Sequence, residues 1–179
     1  MSIVADLDLK QLIVSTSAFG PREIEQIVAV IANNYARYRD LRDAVSEIEE
    51  QPNRSPAMNA RLGVCYYLLG RYREAVETLA HSDGGALTNF YLGKAYLALD
   101  KYDDALVAYQ SAEKAGYARD AVVLAKAEAQ RYAGQPQAAL DTLNSLSGGV
   151  EQSSEYLYQR AATVAALGGN PDEVVALLE

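Results

Sequence analysis

The sequence predicts an all-α fold of repeated helical hairpins, and three observations carry that prediction. Apolar residues recur at three- and four-residue steps and alanine is abundant, while no run alternates as a half-buried strand must. Stop signals fall at even intervals: Gly20-Pro21, Gln51-Pro52-Asn53, Gly70, Gly84-Gly85, Gly116, Gly134-Gln135-Pro136, Gly148-Gly149 and Gly168-Gly169-Asn170-Pro171. One stretch is also written twice. YYLLGRYREAVETL, from Tyr66 to Leu79, returns 30 residues later as YLALDKYDDALVAY, from Tyr96 to Tyr109.

In chain order, residues 1–20 are expected to form an N-terminal segment with a short capping helix. Residues 21–179 form an array of about five hairpins, with units near 25–55, 56–85, 86–119, 120–153 and 154–179, the last incomplete. Ser55-Pro56 and Asn170-Pro171 each place a capping side chain before a proline in the first helical position. Glu173, three residues after Asn170, completes an approximate capping box. The last helix, starting at Asp172, has room for only about two turns. That brevity leads us to expect a piece of a longer protein.

The repeat has a fixed skeleton. Leu62, Gly63, Tyr66, Ala75 and Leu79 become Leu92, Gly93, Tyr96, Ala105 and Tyr109 in the next unit. Ala127, Ala139 and Leu143 follow in the third, Ala162, Val174 and Leu178 in the last, and Ala32, Tyr35, Ala44 and Ile48 in the first. Two glycines inside helices cost roughly 1 kcal/mol each relative to alanine. Their recurrence in one slot therefore predicts a close helix–helix approach. This pattern resembles the tetratricopeptide repeat, a helix–turn–helix unit of about 34 residues. The chain departs from it in lacking the tryptophan, with Asn59, Asn89, Val123 and Tyr158 in that slot. It also has Tyr117 where a proline is usual, and Lys126 and Gln130 replace the third unit's leucine and tyrosine.

The resemblance implies a right-handed superhelical solenoid that binds a peptide or helix of a partner protein along its concave groove. On the family's spacing the groove is lined by Val64, Tyr67 and Leu68, then Phe90, Lys94 and Leu97, then Leu124, Glu128, Arg131 and Tyr132. That surface is mostly apolar and aromatic and suits an apolar segment. An N-terminal segment of the same chain, MSIVADLDLKQLIVST, is the competing occupant. A structural, self-assembling segment of a larger multi-domain protein is the alternative function. Some relatives grip the carboxylate tail of heat-shock chaperones with basic and amide side chains. Ala60, Val64, Tyr91, Ala121 and Ala125 stand in those slots here and cannot do so.

Composition excludes other classes. With 24 acidic and 16 basic residues the net charge is -8, and no basic run could neutralise a row of phosphates, so nucleic acid is not an expected partner. The start carries two aspartates before its first lysine, unlike a secretory leader, and the longest purely apolar run is Ile27–Ala32. A cytoplasmic protein without membrane insertion is expected. His81, the one histidine, sits beside Ser82 and Asp83 in a turn, where consecutive residues cannot converge as a triad. Cys65, the one cysteine, reads as a small buried residue. Neither an enzyme, a cofactor nor a metal is expected. The last unit, with Val174, Leu177 and Leu178, is a candidate surface for homo-oligomers.

Overall fold

The structure is a computed structural model and describes residues 8–15 and 17–179. Its helices are α1 (Leu9–Val14), α2 (Pro21–Asn33), α3 (Tyr38–Glu49), α4 (Pro56–Leu68), α5 (Tyr72–Ala80), α6 (Ala86–Ala98), α7 (Tyr102–Lys114), α8 (Arg119–Tyr132), α9 (Pro136–Leu143), α10 (Ser154–Ala166) and α11 (Pro171–Leu178). Short 3-10 turns lie at Tyr35–Arg37 and Val150–Gln152. No strand occurs among the described residues, and the helices stack as an all-α solenoid.

From α4 onward the hairpins follow the skeleton. α4 packs on α5, α6 on α7, α8 on α9 and α10 on α11, and each second helix also meets the next first helix. The glycine slot is filled by its partner helix. A Cβ on Gly63 would lie 2.5 Å from Leu79 Cγ, and one on Gly93 2.5 Å from the Tyr109 ring. The caps form as the sequence implies: Ser55 Oγ accepts from Met58 N–H, and Asn170 Oδ1 from Asp172 N–H. In the last unit the buried small residue of α10 is Ala161, not Ala162, and Leu178 faces out while Leu177 is half-buried. The slot in the first helix thus recurs after 34 residues, as the turn glycines Gly134 and Gly168 do, and the extra residue falls in the turn before Pro171.

The first unit differs more. α3 behaves as a second helix, with Ala44 and Ile48 fully buried, but its partner is α1 and not α2. Ala32 is exposed and Tyr35 is 85% exposed, so neither fills the slot that the spacing assigns to it. The physical reason lies in where the helix begins. Pro21 starts α2, which makes Ala32 its twelfth residue, whereas Gly63 is the eighth of α4. A small residue in the last turn cannot sit at the centre of a hairpin crossing. α2 is instead an insertion between the paired helices α1 and α3.

Arg61 fastens this arrangement. It is 4% exposed and donates through Nη1 to the carbonyls of Leu12 (3.4 Å), Ile13 (2.9 Å) and Ser15, and through Nη2 to that of Ser17. A guanidinium thereby satisfies orphan carbonyls at the end of α1, favoured by the helix dipole. Its plane lies 4.7 Å from the Phe19 ring centre, and burial holds its pKa below the ordinary value.

Candidate functional site

The first helices α4, α6 and α8 lie side by side, and the apolar face of α2 shares a core with α4 and α6. Phe19, just before α2, lies under the Arg61 guanidinium and lines a cavity with Ala57, Ala60 and Leu87. Tyr38, the first residue of α3, donates its hydroxyl to the Leu68 carbonyl at 2.9 Å. Ile24, Ile27 and Val30 of α2 join one apolar cluster with Leu62, Val64 and Cys65, against which Tyr67, Leu68, Tyr91 and Leu92 pack. Burial, and then neighbouring charge that includes Glu25 of α2, raises the pKa values of Tyr91 and Tyr117. The chain thus supplies its own occupant here. That occupant is α2; of the N-terminal segment, α1 packs on α3, and residues 1–7 and 16 lie outside the described residues.

The sequence-derived groove residues divide accordingly. Val64 has no exposed surface and belongs to the core cluster that also holds Ile24, Ile27 and Val30, so it is core instead of a partner contact. Phe90 and Leu124 are also buried. Phe90 is stacked on Tyr117 with centroids 4.1 Å apart, so the tyrosine in the proline slot roofs the inner face of α6. Leu124 packs with Tyr156 of α10 in the third cluster. Leu68 is half-buried beneath Tyr38. Arg131 turns away, with Nη2 donating to Gln159 at 3.4 Å and its guanidinium 4.5 Å from the Tyr132 ring.

The remaining five converge. Tyr67, Lys94, Leu97, Glu128 and Tyr132 line an open cleft of about 400 Å³, together with Ala98, Asp100 and Tyr102. Lys94 Nζ lies 5.9 Å from the Tyr67 ring centre and 5.6 Å from that of Phe90, a cation held between aromatic faces. Tyr67 in turn meets Tyr91 edge-on at 5.4 Å, and burial pushes its pKa up to about 12. Tyr132 is half exposed, and its ring lies nearly parallel to that of Tyr102, at 14° and 6.3 Å between centroids.

Asp100 and Tyr102 escaped the sequence reading. Asp100 occupies the turn position held by Gly70, Gly134 and Gly168 in the other hairpins. Its φ of 59° is left-handed like theirs, at 74°, 75° and 74°. Its carboxylate accepts from the Tyr102 hydroxyl at 2.9 Å. An aspartate repeating a glycine slot is a readable signal, visible once the turns are aligned. His81 and Cys65 carry no site: His81 is exposed with Nδ1 2.8 Å from the Glu77 carbonyl, and burial pushes Cys65 up to about 12.

With this geometry in view, the comparisons can be placed on it. The tetratricopeptide repeat family pattern matches residues 61–81 and 88–115, inside the hairpins α4–α5 and α6–α7. These two hairpins are tetratricopeptide repeats. No curated protein matches the chain significantly. Tetratricopeptide repeats are a non-enzymatic scaffold family that mediates protein–protein interaction. The cleft is built from the first helices of both matched repeats and of the hairpin that follows. Among the described residues no helix is long and apolar enough to cross a membrane, and no cluster of metal-ligating side chains occurs.

Proposed function

We propose that the chain is a protein-interaction scaffold whose open groove, between α4, α6 and α8, receives a segment of a partner protein. One observation carries this reading: the cleft lined by Tyr67, Leu97 and Tyr132 draws an aromatic or aliphatic side chain from each of three successive first helices. Such a row suits an extended or helical peptide with apolar anchors. A further support is that the chain's own amphipathic helix α2 packs in one apolar cluster with residues of α4 and α6. Catalysis has no part in the proposal, and the cytoplasm is the compartment it assumes.

The test uses Leu97→Asp/Tyr132→Asp, which changes open cleft residues and spares the buried Phe90. Wild type and variant are compared in affinity capture after circular dichroism confirms equal helicity. Loss of the captured proteins supports the groove, and retention of all of them by the folded variant excludes it. A second reading rests on α11, which has no buried residue and exposes Val175 and Leu178 at 52% and 58%. A second copy covering that edge would make dimers, visible by light scattering across a concentration series.

A further inference from the structure

We propose that the cleft selects partners by capturing a basic side chain, arginine or lysine, between the Tyr102–Tyr132 face and the carboxylates of Asp100 and Glu128. This rests on the groove reading above and specifies the chemistry of its ligand. Four observations converge on it.

Glu128 is half-buried in the cleft wall and has no hydrogen bond or ion pair among the described residues. Asp100 reaches the same cleft from a turn position that glycine fills elsewhere in the molecule. The adjoining mouth adds Asp103 and Asp104, so four carboxylates stand against Lys94 and Lys101. Both lysines are drawn to aromatic rings: Lys94 to Tyr67 and Phe90, and Lys101 to Tyr96 at 5.8 Å. Among the described residues neither lysine forms an ion pair with any of the four carboxylates, so the site keeps a net acidic charge. Finally, the Tyr109 hydroxyl has no exposed surface and no hydrogen-bond partner among the described residues, and burial first, then Glu128 and Tyr67, raise its pKa.

A guanidinium or ammonium is the ligand that answers all of these at once. It pairs with carboxylates through charge-assisted hydrogen bonds and lies favourably against tyrosine faces. An acidic side chain would meet two or more carboxylates and be rejected.

The experiment is selection of displayed random dodecapeptides on the full chain, on Glu128→Gln and on Lys94→Gln. Wild type is expected to enrich peptides with one arginine or lysine beside apolar residues. Re-measured by fluorescence anisotropy, the best of these should weaken about tenfold on Glu128→Gln and with added salt, and should tighten several-fold on Lys94→Gln. Selected peptides without basic enrichment, and unaffected by Glu128→Gln, overturn this inference while the groove reading survives. Failure to select any peptide that competes at the cleft overturns both.

Discussion

On α4, Ala60 and Val64 occupy the helical positions that Phe90 and Lys94 hold on α6 and Leu124 and Glu128 hold on α8. Equivalent positions have reached different fates. The first pair is buried, whereas Lys94 and Glu128 stand at an open cleft rimmed by Tyr102 and Tyr132. Side-chain size accounts for part of the contrast. Small residues on α4 let an aliphatic helix lie flat, while bulky aromatic and charged groups on α6 and α8 hold another helix off. What a solenoid offers to partners is thus set locally, unit by unit, and not by its curvature alone.

The largest effect expected is from alkaline pH, because it acts on several buried groups together. Burial, and for Tyr66 also its hydrogen bond to Glu49, pushes Tyr66 and Tyr67 up to about 12. Tyr91, Tyr109 and Tyr117 are shifted the same way, again by burial. An unfolded tyrosine loses its proton near pH 10 and the folded one higher, so the folded state then binds more protons. The resulting stability is complete below about pH 10 and is lost as pH rises toward 12. A far-ultraviolet pH titration should show helix loss in that window, accompanied by a second rise in tyrosinate absorbance after exposed rings such as Tyr35 have ionised. Complete ionisation of all tyrosines on an intact helix signal would mean the buried rings are not held as described.

Next comes Ile27→Asp, which places a carboxylate on the buried face of α2. An unpaired buried charge should cost about 3–5 kcal/mol. The melting curve should shift down strongly, and the surface of α4 should gain access to apolar dyes. A shift no larger than that of the exposed control Val28→Asp would remove α2 from that core. Gly93→Ala should cost about 1–3 kcal/mol by pressing a methyl group into Tyr109, read by urea unfolding.

Smaller and opposite in sign is Asp100→Gly, which should leave stability unchanged or raise it by under about 1 kcal/mol by relieving a left-handed φ. The same variant should weaken binding of a basic peptide, so a gain in stability would accompany a loss of affinity. Equal affinity in calorimetry would show that the aspartate serves the turn alone.

Much of this was legible in the sequence. Gly63, Gly93 and the alanines of the second helices are constrained by helix–helix distance, and distance constraints recur in identical form, so the helical repeat could be read directly. The packing of α2 was not legible, because apolar periodicity says that α2 has a buried face and not which surface buries it. The late position of Ala32 in its helix was the available clue. Arg61 was hidden differently: its role depends on carbonyls 44 to 49 residues away, which leave no local trace. Five of ten inferred groove residues reach the cleft, since family spacing gives direction along a helix but not what else competes for that side.

The pairing of α1 with α3 has a topological consequence. Both ends of the segment that carries α2 are anchored on the same side of the stack, so α2 is a closed excursion and the path from α3 to α11 does not pass through it. Loop-closure cost grows only slowly with length, by about 0.6 kcal/mol per doubling. The loops on either side of α2 can therefore change in length while the solenoid keeps its register, provided that Ile24, Ile27 and Val30 stay buried. The constraint on α2 is thus its apolar face and not the spacing of the repeat.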